Sequence, residues 1–139
     1  MFAHVRQHEA AEQGLRKLLA RRPNHALALN NLAWVLVVRG KPGAVEYARK
    51  ATEAMPDRPA IMDTLAMALA ANKQPAEALE LQKRAVNLSP TDSGLRLNLA
   101  KIAAQAGDKE LARKELKALE AVGEVLPLRD EVLKLLARL

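Results

Sequence analysis

The chain has 139 residues, a net charge of +6 and half of its side chains hydrophobic, enough for one domain. Only 2% of the residues are aromatic, which disfavours strands, and with no cysteine there can be no disulfide or thiolate chemistry. No apolar run approaches the roughly 20 residues needed to span a bilayer, so direct membrane insertion is not expected.

Residues 8–22, HEAAEQGLRKLLARR, read as an amphipathic helix with Ala11, Leu15, Leu18 and Leu19 on one face, closed by Pro23. The opening MFAHVRQHEAAEQ has no apolar signal core, so no secretion signal is expected there. Asn24 can cap a helix running to about Arg39, and Gly40 supplies a left-handed stop. Pro42 then opens a partner helix with Ala44, Val45, Ala48, Ala51 and Met55 inward, closed by Pro56. The plan repeats. Pro59 begins a helix, Asn72-Lys73-Gln74 makes the turn, and Pro75 begins a partner closed by Pro90. A third unit keeps Leu99, Ala100, Gly107 and Ala112, with Asp108 placed to cap its second helix. Gly123 breaks that helix, and Pro127 opens a last one with Leu128, Val132, Leu135, Leu136 and Leu139 on one face.

Aligned, these segments are one motif. Leu32-Ala33 returns as Leu65-Ala66 and Leu99-Ala100, and Ala44 returns as Ala78 and Ala112, at separations of 33 and 34 residues. Self-similarity at that period marks a stacked helix–turn–helix array. The chain divides into a partial repeat (8–25), three repeats (26–58, 59–92, 93–126) and a capping helix (127–139), together a single domain over 1–139. In this register Ala11 stands where Ala44 does and Pro23 where Pro56 does. The first helix of the leading repeat is then missing or reduced to Met1–Gln7, as in a piece of a longer array or behind a short cap. The recurring alanines mark where paired helices cross, since small residues allow close approach.

The small residues, the turn glycines and the closing Pro56 and Pro90 resemble the tetratricopeptide repeat. That resemblance implies an all-α, right-handed superhelical solenoid of antiparallel helix pairs. The early position usually held by Trp is Leu29, Met62 and Arg96 here, so groove details are expected to differ from the family's pattern. A narrower similarity rests on LNNLAW (29–34), GKPGAVEYARKA (40–51), MDTLAMAL (62–69) and LNLAKIAAQAGDKELARKELKAL (97–119). These look like the C-terminal arrays of bacterial exopolysaccharide and PEP-CTERM/exosortase system proteins. That likeness implies a periplasmic or outer-membrane-anchored parent protein, with a cytoplasmic one as the alternative.

In the family's register the first helices line a concave groove. The residues implied are Leu27, Asn30, Asn31, Trp34, Val37 and Val38, then Asp63, Thr64 and Met67, then Leu97, Asn98 and Lys101. Trp34, the one tryptophan, falls one repeat from Met67 and is a candidate anchor for a peptide or helix; packing against the preceding repeat is its other reading. Asn31, Thr64 and Asn98 share one repeat position, where an amide can both donate to and accept from a peptide backbone. Asn30 and Asp63 stand where a carboxylate clamp would hold lysine, which disfavours capture of a chain terminus.

Chemistry is otherwise scarce. His4 and His8 share a helical face, but two ligands make a weak metal site, and HEAAE lacks the second histidine of the zinc-protease motif. No Gly-rich phosphate loop or Ser/His/Asp set emerges, so no active site, cofactor or metal is expected. Positive charge is spread, with five basic against two acidic residues in 1–25 and three against four in 59–92, and is not interleaved with aromatics. Nucleic acid is therefore a disfavoured partner. The expected function is a non-enzymatic scaffold binding a peptide or protein in its groove. The alternative is self-association into a homo-oligomer through exposed repeat ends.

Overall fold

The structure, a computed structural model, describes residues 2–122 and 126–139, with side chains for 5–121 and 130–139. The break expected at Gly123 and the side chains of His4 and Leu128 lie outside the described residues. Among the described residues there are eight α-helices and no strand: α1 (Phe2–Arg21), α2 (Ala26–Val38), α3 (Ala44–Ala54), α4 (Pro59–Ala71), α5 (Pro75–Leu88), α6 (Ser93–Gln105), α7 (Lys109–Val122) and α8 (Leu126–Arg138). Each helix packs on the next, while α2 also packs on α4 and α4 on α6. Contacts confined to neighbouring units make a solenoid, and the fold is all-α.

The turns explain why the hairpins repeat. Lys41 N–H bonds to Leu36 O (2.9 Å) and Gly40 N–H to Val37 O (3.1 Å). Gln74 and Lys73 repeat this pair on Leu69 and Ala70, and Asp108 and Gly107 repeat it on Ala103 and Ala104. This double bond satisfies the last helical carbonyls but requires a left-handed residue in the middle. Gly40 (φ 65°), Lys73 (61°) and Gly107 (91°) occupy that place, so one of the three turns is made without glycine.

Small residues then close each hairpin. Ala33, Ala66 and Ala100 are no more than 1% exposed, and Ala44, Ala78 and Ala112 no more than 7%. Leu32, Leu36, Leu69 and Ile102 fill the space between helices. Leu97, Ala100, Leu116, Leu119 and Val132 form a second cluster, where α8 closes over α6 and α7.

Four local expectations are corrected. The first helix begins at Phe2 rather than near residue 8, because residues 2–13 contain neither proline nor glycine to stop it. Its buried side also differs: Ala11 and Leu18 are exposed, while Glu12 and Leu19 are buried. Pro42 does not open α3; Gly43 follows it at φ 97°, which no right-handed helix accepts, so α3 starts at Ala44. The cap of α2 is His25, whose Nδ1 accepts from Ala28 N–H (3.2 Å), in place of Asn24. Pro59 and Pro75 do begin α4 and α5, and Asp108 accepts from Leu111 N–H (3.1 Å) at the start of α7.

Candidate interaction face

Helical spacing puts Leu27, Asn31, Trp34 and Val38 on one stripe of α2. All four are exposed, Leu27 by 56%, Trp34 by 51% and Val38 by 45%. Exposed apolar side chains grouped in this way mark an interaction surface more often than scattered ones do. His8 of α1 meets the Trp34 ring edge-on, with centroids 5.9 Å apart and planes at 75°. Beyond that contact the indole stays half exposed.

The rest of the expected groove is differently placed. Thr64 is only 6% exposed and donates its hydroxyl to Ala60 O (3.1 Å), because α2 packs over this part of α4. Leu97 is 4% exposed and belongs to the cluster under α8. Neither is an open groove residue. Val37 is half-buried and lines a hollow of about 570 Å³ at the α2–α3 turn, with Leu36, Lys41, Val45 and Ala68. Met67 is half-buried against the main core. Lys101 is paired with Glu131 of α8.

The polar residues are committed to one another. Asn98 Nδ2 donates to Asp63 Oδ1 (3.0 Å), and Gln82 Nε2 donates to the same oxygen (2.7 Å) and to Leu95 O (3.0 Å). Asp63 thereby joins three consecutive helices, α4, α5 and α6. Burial pushes its carboxyl above the ordinary value, and the Asn98 and Gln82 hydrogen bonds only partly offset this. The expected ladder of free amides thus does not form, since Asn98 serves the inter-repeat contact. Asn30, at Asp63's place in the preceding repeat, is half-buried with its Oδ1 enclosed and without a partner.

A second polar centre fixes α1. Glu12 is 7% exposed and accepts from Arg39 (2.7 Å), Lys41 (3.0 Å) and Arg16 (3.0 Å). Hydrogen bonds from Lys41 and Arg16 hold its carboxyl down at about 2. Sequence reasoning missed both Glu12 and Gln82. The available signal was repeat position: Glu12 stands where Val45 and Leu79 do, and Gln82 where Ala48 and Leu116 do.

A solenoid of helix hairpins with an apolar stripe bared on one first helix defines a class, the helical-repeat modules that present a surface to other polypeptides. The comparisons agree with it. A family model for the tetratricopeptide repeat matches residues 69–139, just over half of the chain, and the chain belongs to that family. No curated protein matches it. Among solved structures, it superposes on residues 41 to the end of MamA from Desulfovibrio magneticus RS-1 with a TM-score of 0.76 and 20% identity, over 87% of this chain and 69% of that one. TTC0263, a thermophilic repeat protein of Thermus thermophilus, gives 0.79 and 20% over 97% and 76%. MamA of AMB-1 gives 0.66 and 25% over 79% and 65%. Likeness at 20% identity establishes the fold, which is in general that of a non-enzymatic interaction scaffold.

Proposed function

We propose that the protein captures a partner polypeptide on the Trp34 face of α2. The observation that carries this reading is the contrast within one repeat position. Trp34 is half exposed, whereas Met67 is packed against the core and Lys101 is tied to Glu131. A large aromatic flanked by Leu27 and Val38 is the kind of patch that dominates binding energy. An envelope or exopolysaccharide setting, in the periplasm or at the outer membrane, is supported by the similarity of residues 29–34, 40–51, 62–69 and 97–119 alone. Affinity capture from a bacterial envelope fraction tests the face. Wild type and the control Leu88→Ala, altered at an exposed leucine of α5, should retain the same partner, and the Trp34→Ala/Asn31→Ala double variant should lose it. Equal recovery by all three would refute the assignment.

A further inference from the structure

The stripe on α2 acquires a definite meaning when its sister stripes are followed along the array. Leu27, Asn31, Trp34 and Val38 correspond to Gly94, Asn98, Lys101 and Gln105 on α6. On α6 two of these residues reach back to the preceding first helix, Asn98 to Asp63 and Gln105 Nε2 to Ala70 O (2.8 Å), both on α4, while Lys101 pairs forward with Glu131 of α8. At Asn31 and Val38 the exposed face of α2 therefore repeats an inter-repeat contact surface, and among the described helices no first helix lies against it.

The neighbouring helix shows the same vacancy from the other side. In the second helices one set of residues packs under the helix of its own hairpin: Ala44, Ala78 and Ala112 are 7%, 0% and 0% exposed, and Ala51, Ala85 and Leu119 are 0%, 0% and 8%. Their counterparts on α1, Ala11 and Leu18, are exposed. The adjoining set faces the next first helix. Leu79 and Val86 are 9% and 6% exposed, and their counterparts Glu12 and Leu19 are 7% and 9%, covered by α2. Half of α1 is thus buried as in α5, and the half that in the other hairpins meets a partner helix is exposed. At the next two joints three helices pack mutually, α2 with α3 and α4, and α4 with α5 and α6, whereas the joint of α1 with α2 has only those two.

We infer that α1 and α2 form a seat for one amphipathic helix of the first-helix type, continuing the inter-repeat interface by one element. The inference rests on the Trp34 face being the capture surface, and it names what is captured. The walls specify the occupant's chemistry. Opposite Ala11 it carries a small residue preceded by leucine, as in Leu32-Ala33 and Leu65-Ala66, because a methyl-sized crossing permits the close approach seen in the other hairpins. Three residues before the small one it carries an aspartate or asparagine oxygen to accept from Asn31, as Asp63 accepts from Asn98. Apolar residues one turn to either side cover Leu18 and Trp34.

The chain contains such a helix, so the synthetic peptide of residues 57–74 serves as the probe, bearing Asp63, Leu65 and Ala66 and no tryptophan. Titrated into the whole protein, it should shift Trp34 emission to shorter wavelength and gain helical circular dichroism at one peptide per chain. Ala11→Arg and Leu18→Glu, both at exposed positions and so compatible with folding, should each weaken binding about tenfold or more. A peptide carrying Ala66→Pro should not bind. Absence of binding by wild type overturns the seat, as does binding indifferent to both α1 substitutions. If partner capture still depends on Trp34 while the peptide fails, only the helix assignment falls; if capture is also indifferent to Trp34, the face falls with it. A wild-type dimer that Ala11→Arg dissociates would mean that a second copy fills the seat, and would overturn the assignment of a first-type helix.

Discussion

The two ends of the described array present opposite faces. At the C-terminal end, α8 follows the first-helix register, with Pro127 standing 34 residues after Ser93. Its inner side is engaged: Val132 is 1% exposed against Leu97, Ala100, Leu116 and Leu119, Glu131 pairs with Lys101, and Arg113 donates to Leu139 O (2.9 Å). Its outer side carries Asp130 and Lys134 beside one exposed apolar residue, Leu133 (42%), with lysine where the other first helices have the small crossing residue Ala33, Ala66 or Ala100. At the N-terminal end α1 is anchored to α2 through Glu12, yet Val5, Leu18, Leu27, Trp34 and Val38 remain 37–56% exposed. A solenoid stops where its last helix shows water a polar face. Among the described residues the C-terminal end is the more polar, termed closed, and the N-terminal end the more apolar, termed open.

The strongest way to break the contrast is to remove the closed end. Truncation after Val122 would bare Leu97, Leu116 and Leu119, at a cost of about 4 kcal/mol if two to three aliphatic side chains lose their cover. The expected result is concentration-dependent aggregation in light scattering, together with a lower melting temperature. A truncated chain that stays monomeric and melts like wild type would show that α8 is not the cap.

The contrast can also be inverted. Asp130→Leu with Lys134→Ala gives α8 the apolar outer stripe of a true first helix, while leaving Val132 and Glu131 in place. The converted end then fits the bare half of α1 on another copy, and head-to-tail oligomers that grow with concentration are expected by sedimentation velocity. Adding Ala11→Arg should return the chain to monomer. Oligomers that persist with Ala11→Arg would mean that the new surface does not use the open end.

Glu12 sets how firmly the open end is held, and its effect carries a pH sign. A carboxyl lowered on folding adds stability above its ordinary 4.5 and loses it as pH falls through about 2. Wild type should therefore lose this contribution between those values. Glu12→Gln, which leaves Arg39, Lys41 and Arg16 facing a neutral amide, should melt lower at neutral pH, and its deficit should shrink across that acid window. A constant deficit down to pH 2 would show that the ionised form is not what matters.

Much of this architecture was legible in the chain itself, and the reasons are local. Leu-Ala pairs at fixed spacing mark hairpin crossings because only small residues fit there, and Pro59 and Pro75 mark helix starts because a first-turn residue needs no N–H donor. The candidate site was legible only in part. Repeat register places Thr64 and Leu97 on the groove, but which positions stay open depends on α2 lying over Thr64 and α8 over Leu97. Glu12 was illegible because a glutamate among alanines and lysines looks like a solvated helical face; three cations brought from α1 and from residues 39–41 make it an anchor. Ala11 and Leu18 matched an inward face in sequence and lie outward because the helix they would meet is not among the described ones.

The smallest change separates stability from docking. Lys73 holds the left-handed place that Gly40 and Gly107 hold in the sister turns, at φ 61°. A side chain costs roughly 1–2 kcal/mol in that conformation, and glycine returns about 0.5–1 kcal/mol of this as extra freedom in the unfolded chain. Lys73→Gly should therefore stabilise the protein by about 0.5–1 kcal/mol, a rise of about 3 °C in a chain of this length. Lys73 N–H keeps its bond to Ala70 O and the turn keeps its shape, so neither end is altered. Affinity for the 57–74 peptide should then match wild type within about twofold, against the loss of about tenfold or more expected from Ala11→Arg. A Lys73→Gly chain that melts higher and also binds differently would mean that global stability, rather than the bare half of α1, controls access to the open end.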